Sequence, residues 1–148
     1  MKQKIDSLSQ KEQAWVAAQL EKAAYFVETF SSADAGQPLT LAALDRAFAA
    51  WIASKPTDVA IINAVINCVG AAFGRFLVEG IGLGWVIATD KHGSDLAIYG
   101  LPDKGDVLIY PANFVAKRWE KREIDFLESS YQQIAAQVQN LRLRSSKP

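Results

Sequence analysis

The chain has 148 residues, 50% of them hydrophobic and 22% charged, an ordinary globular composition with enough length to bury a core. Sixteen basic and sixteen acidic side chains cancel, so no global field selects nucleic acid or an anionic membrane. The single cysteine, Cys68, excludes an internal disulfide and suits the reducing cytoplasm, and the polar start MKQKIDSLSQKEQ lacks a signal-type apolar run.

In chain order, residues 9–30 are predicted to form an amphipathic helix. Ser9 and Glu12 have capping-box spacing, and Val16, Leu20, Ala23, Val27 and Phe30 repeat at four-three-four-three along one stripe. SSADAGQP is a loop by composition. Thr40 is the expected N-cap of a second helix, whose Leu41, Leu44, Phe48 and Trp51 share a face. SKPTD then breaks the chain before a third helix, from about Asp58 to Glu79. Val59 to Gly74 carries no charge, but sixteen residues fall short of the roughly 20 that a bilayer span needs. A buried central helix is therefore expected, with Ile62, Val65, Val69 and Phe73 inaccessible. Its one stripe of polar or small residues, Asn63, Asn67, Gly70 and Gly74, reads as a groove for a closely packed element, with the amides bonded to backbone.

After Gly80 the hydrophobic period changes to two. Residues 85–89, 96–99 and 107–110 are expected as strands of an antiparallel meander, joined by the turns DKHGSD and GLPDKGD. Pro111 ends the meander, and Asn113 is the expected cap of a short helix bearing Phe114, Val115 and Trp119. A last helix from about Asp125 places Leu127, Tyr131, Ile134, Val138 and Leu141 on one face. The expected fold is α+β: three N-terminal helices with a buried central helix, a three-stranded antiparallel meander, then two C-terminal helices. One domain is expected over residues 1–148, with residues 1–8 and 142–148 frayed.

The chemistry-bearing stretches are few. GIGLG follows a helix and precedes a strand, the reverse of a phosphate-binding loop, so Gly80 and Gly82 are expected to supply left-handed turns that stop the helix. His92, the only histidine, lies in a turn whose composition needs no catalytic explanation, and Asp90 and Asp95 beside it have no apolar setting. One Cys and one His cannot build an N/S zinc site, so no metal or cofactor is expected. KRWEKR is basic with an aromatic, yet Glu120, Glu123 and Asp125 interleave, which reads as a solvated helix with a buried Trp119 and no nucleic-acid face. Arg118 has no acidic neighbour three or four residues away on its own helix. It is expected to bond the meander, at Asp95 or Asp106 first.

The stretches GAAFG, GLGWVIATDKHGSDLA and VLIYPANFVAKRWE resemble a bacterial family, Domain of Unknown Function 3806, over roughly Val59 to Tyr131. Trp85 with Asp90 and Gly93, and Pro111 with Lys117 and Arg118, carry most of the resemblance. It implies no activity, cofactor or catalytic residue, and the N-terminal helices lie outside it. The functional expectation is a soluble, cytoplasmic, non-catalytic binding module of adaptor or immunity type, monomer or homodimer. Its expected partner is a protein, with neither nucleic acid nor membrane involved, and Asn113, Lys117 and Arg118 are its binding positions. The alternative is a small enzyme using the hairpin turn around His92, with Asp90 and Asp95 beside it and Asn113 and Lys117 opposite.

Overall fold

The computed structural model describes residues 3–102 and 104–145. A short strand β1 (Lys4–Asp6) precedes α1 (Gln10–Phe30), a 3-10 turn (Ser32–Asp34), α2 (Leu41–Ala53) and α3 (Val59–Ile81). The chain continues through β2 (Gly84–Asp90), β3 (Gly93–Gly100), β4 (Val107–Ile109), α4 (Pro111–Glu120) and α5 (Leu127–Ser145). The α+β class holds, with one more strand than expected. Lys4–Asp6 pairs antiparallel with Ile87–Thr89, giving a sheet ordered β1-β2-β3-β4. Three residues are too few for alternation to reveal a strand, and a partner more than eighty positions away supplies the pairing. Within the ends expected to fray, Lys4–Asp6 forms the paired strand β1 and α5 runs to Ser145. The remainder of those expected frayed ends, residues 1–2 and 146–148, lies outside the described residues.

Helix starts follow the local chemistry. Ser9 and Glu12 close a full capping box, Thr40 accepts from the Ala43 N–H, and Asp58 accepts from Ala60 and Ile61. The start of α4 differs from expectation. Pro111 occupies its first turn and Tyr110 stands at the N-cap, so Asn113 lies inside the helix and caps nothing. α5 takes its cap from another helix. Asp45 on α2 accepts the Leu127 N–H at 2.9 Å and the Glu128 N–H at 3.1 Å.

α3 is the centre of the molecule. It runs past the uncharged stretch because Arg75 and Glu79 sit one turn apart on its exposed side, paired at 3.1 Å. At 23 residues, with a mean hydropathy of 1.7 in its most apolar window, it has the length and composition to cross a bilayer. In this fold Val65, Val69, Phe73 and Leu77 are buried among the other elements, and Ile62 is half-buried. One hydrophobic cluster holds side chains from all five helices and from β3.

The glycine stripe is a groove, as expected. A Cβ on Gly70 would lie 2.9 Å from the Ala112 Cα, and one on Gly74 would overlap the Trp85 ring. The amides are a correction. Asn63 is exposed, Asn67 is half-buried, and neither bonds a described residue, because the packed elements meet α3 at the glycines and leave the amides toward water. Gly82 is the left-handed C-cap at φ 84°, whereas Gly80 is helical and makes room for the Tyr131 hydroxyl.

Candidate functional site

The β2–β3 hairpin pairs Asp90 with Gly93, Ala88 with Asp95 and Val86 with Ala97. Cross-strand partners share a face, so Val86, Ala88, Asp90, Asp95 and Ala97 point to one side. Trp85 and Ile98 point to the other, where Trp85 meets α3 at Gly74. The same register places Ile5, Tyr99 and Leu108 on the outer side. Ile5, Val86, Tyr99 and Leu108 are all half-exposed, and none belongs to the hydrophobic cluster.

Ala88 and Ala97 are nevertheless buried on this outer face, at 3% and 0% exposure. Tyr110, two positions after Leu108, shares their side by strand alternation. Its hydroxyl accepts a 2.9 Å hydrogen bond from the Gln3 side chain, which bridges the β4 end of the sheet to the β1 end. That bridge fixes the ring as one wall of an open cleft of about 400 Å³. Ala88 lines its floor, Asp90, His92 and Asp95 come from the hairpin, and Asn113 comes from the first turn of α4.

The turn itself is well tied. Asp90 Oδ1 accepts the His92 N–H at 2.7 Å, and the hydroxyls of Thr89 and Ser94 lie 2.7 Å apart across the strands. Among the described residues the second oxygen of Asp90 has no partner, and Asp95 is exposed with none. His92 is exposed, and its ring bonds nothing among the described residues. Such a cleft can accept hydrogen bonds and attract positive charge. Among the described residues no group of three or more His, Cys, Asp or Glu is arranged to hold a metal ion.

The structure thus brings His92, Asp90, Asp95 and Asn113 together and leaves out Lys117 and Arg118. Lys117 is exposed and lines no part of the cleft. Arg118 does not reach the meander. Its guanidinium lies 3.8 Å from the centre of the Phe114 ring, donates to the Phe114 carbonyl at 3.3 Å, and approaches Glu123 at 3.9 Å. The reason is the end of α4. Arg122 turns left-handed at φ 55°, folding the chain back so that the Glu123 N–H bonds the Arg118 carbonyl. Glu123, five residues on, is beyond the helical spacings that suggested Arg118 was unpaired. Asp106 instead accepts from the Tyr99 hydroxyl at 3.2 Å. Trp119 packs on Trp51 with ring centres 4.8 Å apart and the rings tilted by 36°, so the aromatic of the basic cluster is a packing residue, half-buried where burial was expected.

The clearly shifted ionisable groups all lie in the helical half. A bidentate bond from Arg46, helped by Ser31, lowers Asp34 to about 2, and Asp34 in turn raises Arg46. Burial raises Asp45 and pushes the Cys68 thiol up to about 11. Each of these residues is tied to the packing of helices, and none lines the cleft. Sequence reasoning missed Tyr110 as a wall of the cleft and Gln3 as the residue that tethers it, because their roles follow from sheet register.

No curated protein and no solved structure matches the chain. A family match covers residues 42–129, from the start of α2 to the start of α5, and takes in every residue of the cleft. With more than half of its length matched, the chain belongs to the family described as Domain of unknown function (DUF3806).

Proposed function

We propose that this protein is a non-catalytic interaction module that binds a partner protein through the outer face of its sheet. The observation that supports the reading is the half-exposed apolar set Ile5, Val86, Tyr99 and Leu108 beside an open cleft, opposite a face closed by α3. Exposed contiguous apolar surface on a folded protein marks interaction sites, since covering it recovers hydrophobic free energy. Strands of three, seven, eight and three residues, at about 4.8 Å spacing and about 3.4 Å per residue, give a face of roughly 340 Å². That is a small interface, of the kind transient complexes use, with micromolar affinity the matching expectation. A cytoplasmic setting belongs to the same proposal and rests on the lone, buried Cys68.

A catalytic reading has one observation in its favour, the convergence of His92, Asp90, Asp95 and Asn113. Acid–base chemistry needs groups tuned by enclosure or by a charged neighbour, and His92 and Asp95 stand exposed in an open cleft. The binding reading accounts for the whole face, the catalytic one for a corner of it. Photo-crosslinking in the native host tests the choice, with benzoylphenylalanine at Val86, at Leu108 and, as control, at the exposed Gln133 of α5. A discrete protein adduct is expected from the first two positions only. Leu108→Glu should then weaken binding of the purified adduct partner at least about tenfold, roughly 1.4 kcal/mol. Equal adducts from Gln133, or unchanged affinity in Leu108→Glu, refute the proposal.

A further inference from the structure

We infer that the hairpin cleft seats an arginine side chain of the partner, an assignment that rests on the binding reading above. Asp90 and Asp95 share the outer face as diagonal cross-strand neighbours, a relation that sets residues about 7–8 Å apart. A planar guanidinium has N–H groups on both edges and can donate to carboxylates on two neighbouring residues at once. Both carboxylates have oxygens to offer, since Asp90 gives only Oδ1 to the His92 N–H and Asp95 gives nothing to a described residue. Among the described residues no Lys or Arg lines the cleft to neutralise them.

The remaining walls suit the same guest. The Tyr110 ring is held in place by the Gln3 bond and offers an aromatic surface, against which guanidinium stacks readily. The Asn113 amide, on the first turn of α4, adds a side-chain carbonyl acceptor. A volume of about 400 Å³ is in the range of pockets that hold small groups, and its openness to solvent suits a side chain arriving on another protein's surface. The apolar residues beside it give that protein's surrounding surface a place to rest. A simpler role for Asp95, as a cap for the nearby start of α4, lacks the bond it requires: no hydrogen bond joins Asp95 to the N–H of Ala112 or Asn113 among the described residues.

The test uses the full chain, with amide chemical shifts followed during titration by N-acetyl-arginine amide. Its neutral isostere, N-acetyl-citrulline amide, N-acetyl-lysine amide and spermidine are titrated in parallel. The arginine compound should saturably shift the amides of Gly93, Asp95, Leu96 and Asn113, weakly but more tightly than the other three. Asp95→Asn should weaken it about fivefold, as should Asp90→Asn, which keeps an acceptor for the His92 N–H and so keeps the turn. Equal binding of citrulline, or indifference to both substitutions, overturns the cationic assignment. Equal binding of lysine overturns the guanidinium assignment, and tighter binding of spermidine overturns a protein source. Absence of any cleft shift removes the arginine seat altogether. Those results leave the crosslinking outcome at Val86 and Leu108 untouched, so the two readings fail separately.

Discussion

Replacing Asp45 by alanine tests how the helical half is joined. Asp45 is 7% exposed and accepts the first N–H groups of α5 from a position 82 residues earlier in the chain. Its removal deletes a helix cap, about 0.5–2 kcal/mol. It also strands the Leu127 N–H in a buried setting, a loss of about 1–3 kcal/mol. Against this stands the relief of desolvation, the cause that raises the Asp45 pKa, with Asp125 and Glu128 adding repulsion. The net expectation is a loss of about 2 kcal/mol. Unfolding entropy of about 2.1 cal/mol/K per residue over 148 residues makes roughly 0.3 kcal/mol/K, so Tm should fall by about 6 °C.

The pH dependence carries a definite sign. A carboxyl whose folded pKa is raised contributes stability that is fully present below its unfolded value of 3.8 and lost as pH rises through the folded value. The gap between parent and Asp45→Ala should therefore be wider at pH 4 than at pH 7. Urea unfolding followed by circular dichroism at several pH values measures it. A variant within about 0.5 kcal/mol of the parent would show that α5 does not need this cap. A gap that widens with rising pH would show that the two N–H bonds outweigh desolvation.

Asp34 should behave in the opposite sense. Its pKa is lowered from 3.8 to about 2 by Arg46 and Ser31, so the destabilisation caused by Asp34→Asn should shrink as pH falls from 4 toward 2; a constant difference would exclude the bidentate pair. Cys68, 4% exposed with its thiol raised to about 11, should resist an aromatic disulfide reagent at pH 8 until urea unfolds the chain. Rapid labelling of the native protein would place it at the surface. Gly70→Ala puts a Cβ 2.9 Å from the Ala112 backbone, where overpacking of about 1–3 kcal/mol opposes about 1 kcal/mol of helix propensity. Calorimetry should find it less stable than the parent, with the Asn113 amide shifted; a higher Tm would mean that α4 does not pack on Gly70.

Local signals in the sequence located most of the elements. Capping chemistry at Ser9, Thr40 and Asp58 and the change of period after Gly80 are set by neighbouring residues, and α1, α2, α3 and the hairpin begin where those signals stand. The start of α5, expected at about Asp125 and found at Leu127, carried no local cap signal because its cap comes from α2. A signal for that existed in LAALDRAFAAW. Leu41, Leu44, Asp45 and Phe48 follow the spacing of an inward-facing stripe, so Asp45 occupies a position that a hydrophobe would normally fill. A carboxylate there must find donors from another element, and a helix start offers N–H groups without internal partners. β1 had no comparable signal, since its pairing with Ile87–Thr89 is a tertiary event.

The site was legible in its hairpin and at Asn113, but not in its aromatic wall. DKHGSD could be read as an exposed turn and Asn113 was named with it, though as a cap, whereas Pro111 begins α4; Tyr110 and Gln3 enter only through sheet register. Charge alone pointed to the wrong residue. Arg118 drew attention as an unpaired cation, and a left-handed turn at Arg122 gave it Glu123. The same accounting, applied to the folded molecule, separates the two halves. Asp34 is held by Arg46, and Asp45 by two backbone N–H groups, so neither carboxylate can serve a ligand without loosening a helix. Asp95 is free of such obligations, and Asp90 is only half committed. An oxygen already satisfied within the fold gains little from a guest, whereas an exposed one exchanges water for a better-placed donor. On the reading proposed above, two carboxylates that keep oxygens unbonded among the described residues, on one face and in one cleft, would let the sheet take a guest without strain on the helices that hold it.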